Sequence, residues 1–240
     1  MLTELNFFAD IFMRLLAGVP LTIQLAATAI CVGGILGMCL VFMRISGRYL
    51  PDLIARGYIS IFRGTPLLVQ IYLIYYGLSQ FPEVRSSFLW PFLRQPWWCA
   101  VLALSLNTAA YVAEIVRGSI ITVAKGQIEA ALAYGMKTSL IYRRIILPQA
   151  FVRMLPAYGN EIILMIKATS LASTITIMEV TGIAAQTISE TYRPIEVFAV
   201  AGMIYLFLNF SAVFVIRQAE QRLSPQNSFD RNVQNARDYF

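Results

Sequence analysis

The chain has 240 residues, of which 58% are hydrophobic and 13% charged, against roughly 45–50% and about 25% in an ordinary soluble domain. This disfavours a soluble enzyme and asks for lipid-facing surface. Nineteen Lys and Arg against 13 Asp and Glu give a net charge of +6, and there is no histidine. A Ser-His-Asp site and an HExxH metalloprotease are therefore excluded, and the position of the cations has to decide what the basic excess means.

In chain order, the N-terminus Met1-Leu-Thr-Glu-Leu-Asn has no basic region ahead of an apolar stretch. It does not read as a cleaved secretory signal, and the first span is expected to stay in the mature protein. A bilayer-crossing helix needs roughly 20 apolar residues, and charged residues delimit such stretches here. The 29 uncharged residues between Arg14 and Arg44 predict a first span at 21–43, whose Gly33 and Gly37 form a small-xxx-small face for another helix. The 19 between Arg63 and Glu83 predict a second span at 57–78, and the 19 between Arg94 and Glu114 a third at 97–116. A fourth is expected at 156–175, although it carries Glu161 and Lys167, and the 20 residues Val197 to Ile216 predict the fifth at 197–216. The fold class is all-α: a multispanning helical membrane protein with a permease domain over 1–224. A polar tail at 225–240, with no apolar repeat, reads as a poorly ordered extension. Cys31, Cys39 and Cys99 lie inside apolar runs without CxxC spacing, which indicates packing residues and no metal site.

Cytoplasmic loops are enriched in Lys and Arg. The loops after spans one and three and the C-terminal tail hold thirteen of the 19 cations, whereas the opposite side holds Arg14, Arg85, Arg94 and Arg193. The N-terminus is therefore expected outside and the C-terminus inside. Trp90, Trp97 and Trp98 suit an aromatic belt at the outer interface. The charge of +6 becomes a topology signal and no nucleic-acid partner is expected.

The inner loop at 125–148 carries the most specific motif. Glu129-Ala130-Ala131 is followed after three residues by Gly135, and after nine more by Ile145, Leu147 and Pro148. This pattern resembles the EAA loop of the permease subunits of bacterial ABC importers. The expected local structure is a helix over 128–134, a left-handed Gly135, and a second short helix over 140–146 stopped by Pro148. Further stretches narrow the resemblance: Phe62-Arg63-Gly64-Thr65-Pro66-Leu67-Leu68-Val69-Gln70, Asn107-Thr108-Ala109-Ala110-Tyr111-Val112-Ala113-Glu114-Ile115-Val116-Arg117-Gly118 and Pro156-Ala157-Tyr158-Gly159-Asn160-Glu161 look like the polar amino-acid importers. Among these the chain is most similar to the M-type permeases of histidine, lysine, arginine and ornithine systems and of opine systems.

That resemblance implies a multi-pass protein of the bacterial inner membrane that carries a polar or basic amino acid or an opine by alternating access. It implies docking of Glu129, Ala130, Ala131, Gly135, Ile145, Leu147 and Pro148 onto an ATP-binding subunit. The implied partners are a homologous Q-type permease or a second copy of this chain, two ATP-binding subunits and a periplasmic solute-binding protein. No P-loop GxxxxGK[ST] is present, so this chain is expected to bind no cofactor, with ATP and Mg on the partner subunit. An ion-coupled secondary transporter is the alternative; it calls for a midplane carboxylate and an inverted repeat, and neither is visible.

Charges at membrane depth need partners. At about 1.5 Å per residue, Arg63, Glu114 and Glu161 all fall in the inner third of the membrane, where Arg63 is expected to pair with Glu161 or Glu114. Nearer the midplane, Gln70, Asn107, Lys167, Thr169 and Ser170 are candidates for the substrate pathway, because amides and hydroxyls can replace the hydration of an amino acid. Interhelical hydrogen bonding is the competing reading for Asn107, Thr169 and Ser170. In many members of the resembled family an aspartate follows the span-four lysine; here it is Ala168. That change leaves Lys167 free for a carboxylate, which would suit an opine.

Overall fold

The computed structural model describes residues 2–223; the predicted tail at 225–240 lies outside the described residues. Among them every regular element is helical. The chain opens with α1 (Leu2–Leu16) and α2 (Val19–Ile45). Sequence reading assigned no element to residues 2–16, yet α1 is a helix that buries Ile11 and Leu15 against Val180, Ala184, Val197 and Val200. Arg14 fastens it further by an ion pair to Glu190 at 3.0 Å.

The centre of the fold is α7 (Pro96–Ile121). Its small residues Ala100, Ala103, Ala109, Ala110 and Ala113 are fully buried, and α2 approaches them through Gly33 and Gly37. A Cβ on Gly33 would lie 2.7 Å from Thr108 Cβ, and one on Gly37 2.9 Å from Val112 Cβ, so neither position has room for a side chain. This is backbone-to-backbone packing, the arrangement that a lipid environment favours because it gains dispersion contacts rather than apolar burial. By contrast α12 (Pro194–Leu223) lies at the edge: 17% of its apolar window is buried inside the chain, against 72% for α7.

Two predicted spans are not single straight helices. The stretch predicted as 57–78 is divided into α3 (Tyr49–Gly64) and α4 (Leu67–Tyr72), the latter prolonged by a π-helical turn, Leu73–Gly77, and a 3-10 turn, Leu78–Gln80. The two halves meet at 105°. Pro66 supplies no N–H and pushes the residue before it out of the helical region; Thr65 accordingly sits at φ −115° and ψ 145°. Two one-turn helices, α5 (Pro82–Arg85) and α6 (Trp90–Leu93), then lead into α7.

Beyond α7 come α8 (Lys125–Ala133) and α9 (Thr138–Ile141). A π-helical turn, Tyr142–Ile146, runs directly into α10 (Leu147–Ala168). Pro148 was expected to stop a short helix; instead it sits in the first turn of α10, where a missing N–H costs nothing. The stretch predicted as 156–175 is likewise divided, because after Ala168 the helix tightens to a 3-10 segment, Thr169–Ile175. Thr176 then takes a left-handed conformation at φ 67°, and α11 (Val180–Thr191) departs at 47° to the preceding helix. Three stretches, Asn6–Ile45, Pro96–Ile121 and Pro194–Leu223, are long and apolar enough to cross a membrane. Counting each bent pair as one span raises the number to five.

Candidate functional site

The first break exposes carbonyls that a continuous helix would have used, and two predicted pathway residues take them up. Gln70 is buried, and its amide donates to Phe62 O at 2.9 Å, to Thr65 Oγ1 at 2.8 Å and to Thr65 O at 3.2 Å. Its carbonyl accepts from Asn107 Nδ2 at 3.0 Å, and the same Asn107 amide reaches Phe62 O at 3.3 Å. Both side chains thus hydrogen-bond at the bend itself: α7 holds the corner between α3 and α4 through Asn107 Nδ2.

The second break places Lys167, Thr169 and Ser170 in different settings. Thr169 is fully buried and donates to Ile166 O at 2.7 Å. Lys167 is exposed, and Ser170 is half-buried with its hydroxyl donating to Lys167 O at 2.7 Å. Residues three apart eclipse on a 3-10 helix, so Lys167 and Ser170 share an edge that Thr169 does not. Ser173 and Thr174 repeat the same back-bonding to Ser170 O and Leu171 O, both at 2.7 Å.

Glu179, whose role was not readable in the sequence, organises the far side of this break. It is completely buried and caps α11, accepting from Gly182 N at 2.9 Å. Its other oxygen accepts from Tyr205 Oη of α12 at 2.5 Å and lies 3.5 Å from Thr22 Oγ1 of α2. Gly18 and Gly182 make this junction possible, since a Cβ at either would fall 2.6 Å from Val180 N or 2.2 Å from Ile177 O. One signal was available: Glu179 is the only charged residue between Ala168 and Ser189, and an isolated acid in an apolar run calls for a partner.

Of the expected charge cluster, Arg63, Glu114 and Glu161, the structure assembles different pairs. Glu114 bonds Arg117 at 2.5 Å and lies 3.6 Å from Arg44. Arg44 also pairs with Asp52 at 3.0 Å, and Asp52 with Arg56 at 2.5 Å. Arg63 instead lies over the ring of Tyr111, 5.2 Å from its centroid, where the ring face attracts a cation. Glu161 is buried on α10, and among the described residues no ion pair joins it to Arg63. The cluster therefore joins the ends of α2, α3 and α7 through Asp52, Glu114 and three arginines, Arg44, Arg56 and Arg117, which the charge pattern places among the loop cations.

Segment 125–148 folds into a compact knob. Helix α8 ends in a Schellman turn: Gly135 stands at φ 75°, Gly135 N donates to Leu132 O at 2.9 Å and Met136 N to Ala131 O at 3.0 Å. Val123, Ala131, Ile141 and Ile146 form a small core of its own, with Ile145 packed against it. Glu129, Ala130, Leu147 and Pro148 face outward, as do Leu132 and Tyr134, the latter 90% exposed. The knob is an apolar-tipped projection with a rigid turn.

Residues 29–225, most of the chain, match the family described as binding-protein-dependent transport system inner membrane components. The chain belongs to this family. It is 60% identical over 220 residues to the octopine transport system permease protein OccM of Rhizobium meliloti, covering 92% of this chain and 90% of that protein. It is 41% identical to the histidine/lysine/arginine/ornithine transport system permease protein HisM of Escherichia coli K12, covering 85% and 87% respectively. A solved structure, of an amino acid ABC transporter with histidines, superposes with a TM-score of 0.81 at 34% identity over 92% of this chain and 97% of that one. The protein is thus a permease subunit of an ABC importer, and permeases of this family work with ATP-binding subunits and a solute-binding protein.

Proposed function

We propose that the chain is the M-type permease of an importer for an opine or a basic amino acid, built of five spans of which two are bent, with the N-terminus periplasmic and the C-terminus cytoplasmic. The high identity to an octopine permease and the lower identity to one for basic amino acids support this substrate order. A Q-type permease, or a second copy of this chain, completes the translocation path. Two ATP-binding subunits hold ATP and Mg, and a periplasmic solute-binding protein delivers the substrate. Motion passes through the knob at 125–148: closure of the ATP-binding subunits pulls on it and turns the spans outward, a rigid-body transition of the kind that packed helices allow. The observation that carries the docking role is the knob itself, with its own core and Glu129, Leu132 and Tyr134 pointing away from that core.

Within the path, Lys167 and Ser170 are the residues offered to the substrate, Lys167 meeting a carboxylate. Gln70, Asn107 and Thr169 hold the shape of the path and do not solvate the cargo. Reconstitution with ATP-binding subunits tests both parts. Glu129→Lys and Gly135→Pro are expected to insert in the membrane yet lose bound ATP-binding subunit and lose uptake; normal coupled uptake refutes docking. Lys167→Ala is expected to reduce uptake of octopine-like, carboxylate-rich substrates by about tenfold, equal to about 1.4 kcal/mol, and to reduce uptake of arginine less. Unchanged uptake of both classes removes Lys167 from the path.

A further inference from the structure

The knob at 125–148 joins α7 to α10 through two stems, and a linkage between those stems is not explained by docking alone. On the first stem, α7 ends at Ile121 and the chain passes through Thr122, Val123 and an extended Ala124 before α8 begins. Three residues outside any helix are a natural hinge. On the second stem, Gln149 and Arg153 lie one turn apart on α10 and so share a face. That face meets the hinge. Arg153 Nη1 donates to Thr122 O, the carbonyl at the C-cap of α7, and Arg153 Nη2 lies 3.4 Å from Gln149 Oε1. Gln149 Nε2 in turn donates to Gln127 Oε1 in the first turn of α8 at 2.6 Å. A guanidinium at this place suits the negative end of α7, whose last carbonyls have no partners within the helix.

We infer that Arg153 and Gln149 are positioning residues that clasp the two stems, making α7, the knob and α10 one lever across the hinge at 122–124. The inference rests on the docking role proposed above and adds how a pull on the knob reaches the spans. A tip tied to a hinged stem would swing under load and leave α7 still. With both stems clasped, displacement of the tip rotates α7, to which α2 is packed through Gly33 and Gly37, together with α10, which carries Lys167. Val123 belongs to the buried core of the knob, so the clasp closes over a packed hinge rather than an open one.

The test uses the full complex in proteoliposomes with ATP-binding subunits and liganded binding protein, reading substrate moved per ATP hydrolysed. In Arg153→Ala the ATP-binding subunits are expected to co-purify and hydrolyse ATP as in the parent, while transport per ATP falls at least fivefold. A second arm joins the stems covalently. In a background with Cys31, Cys39 and Cys99 replaced by alanine, Gln127→Cys and Gln149→Cys are bridged by a short bismaleimide. The bridge is expected to leave at least half of the uptake in place and to restore coupling to the Arg153→Ala chain. Normal coupling in Arg153→Ala overturns the inference, and so does a bridge that stops transport in a complex that was active before bridging, because the stems would then have to move apart. If Arg153→Ala does not accumulate, the bridging arm decides alone. Failure of docking shows separately, as Glu129→Lys complexes that keep both their ATP-binding subunits and their uptake.

Discussion

At the first break, between α3 and α4, Pro66 removes one backbone donor and the freed carbonyls are met by two neutral amides, Gln70 and Asn107. At the second, between α10 and α11, the chain turns through a 3-10 segment and a left-handed Thr176, and the new helix start is met by one carboxylate, Glu179. The first brace is drawn from α4 and α7, on the inside of the corner. The second draws in α2 and α12 through Thr22 and Tyr205, elements far apart in sequence. Irregular backbone at membrane depth survives only where it is buried in protein or lines a cavity, with each polar group satisfied internally. The corner at Pro66 satisfies that rule by local repair. The turn at Thr176 does so by tying three helices to one side chain, which makes the junction more rigid and also more vulnerable to a single substitution.

The largest effect is therefore expected at Glu179. Glu179→Ala strips the acceptor from Gly182 N–H and Tyr205 O–H in a site with no exposure. Gly182 N–H is left unpaired, at a cost of about 1–3 kcal/mol, while Tyr205 Oη keeps Thr181 Oγ1 at 3.1 Å. With the lost bond to Tyr205, the purified chain should lose roughly 2–3 kcal/mol or fail to accumulate. Glu179→Gln keeps one acceptor oxygen for either donor and should recover more than half of the loss, read as the melting temperature in detergent by fluorescence-detected gel filtration. If Gln is as damaging as Ala, the junction depends on charge and the two braces differ in kind rather than in reach.

The same contrast explains which parts of the molecule the sequence made visible. That α7 and α12 are long apolar helices follows from apolar stretches bounded by charge, because a helix in lipid must hide its own polar groups and needs only length; that α7 is central and α12 peripheral does not. The knob turn followed from Gly135, since a left-handed residue closing a helix is a local requirement. The helix breaks did not follow. A stretch such as 57–78 has the composition of one span, and the single mark of its corner, Thr65-Pro66, lies within it. Gln70 and Asn107 stood out as polar residues among apolar ones, which is equally the mark of a pathway and of a brace. Their partners lie outside any local pattern, since Asn107 meets Gln70 across 37 residues of sequence. Glu179 and Thr22 are 157 residues apart, beyond any local pattern. Arg63, expected to pair with a carboxylate, lies over the ring of Tyr111, while the ion pairs of Glu114 are made by Arg44 and Arg117.

A smaller effect separates brace from pathway at the first break. Gln70→Ala should cost about 1 kcal/mol, the net worth of a typical internal hydrogen bond, with Asn107→Ala similar, because each leaves Phe62 O one remaining donor. The double substitution is the sharper measurement. The two amides bond each other, so either single variant already loses that bond, whereas Phe62 O keeps one donor in each single variant and loses both in the double. Neighbours sharing partners in this way depart from additivity by about 0.5–3 kcal/mol. The double variant is thus expected to depart from the two single losses added together by at least about 0.5 kcal/mol, with the concentration dependence of uptake moving by less than twofold in each single variant. Additive stability losses accompanied by a raised KM for uptake would mean that the amides act independently and face the cargo. The corner at Pro66 would then be held by Thr65 Oγ1 on Ile61 O and by backbone alone. Gln70 and Asn107 would return to the pathway alongside Lys167, and the first break would belong with the exposed edge of the second rather than in contrast to its buried one.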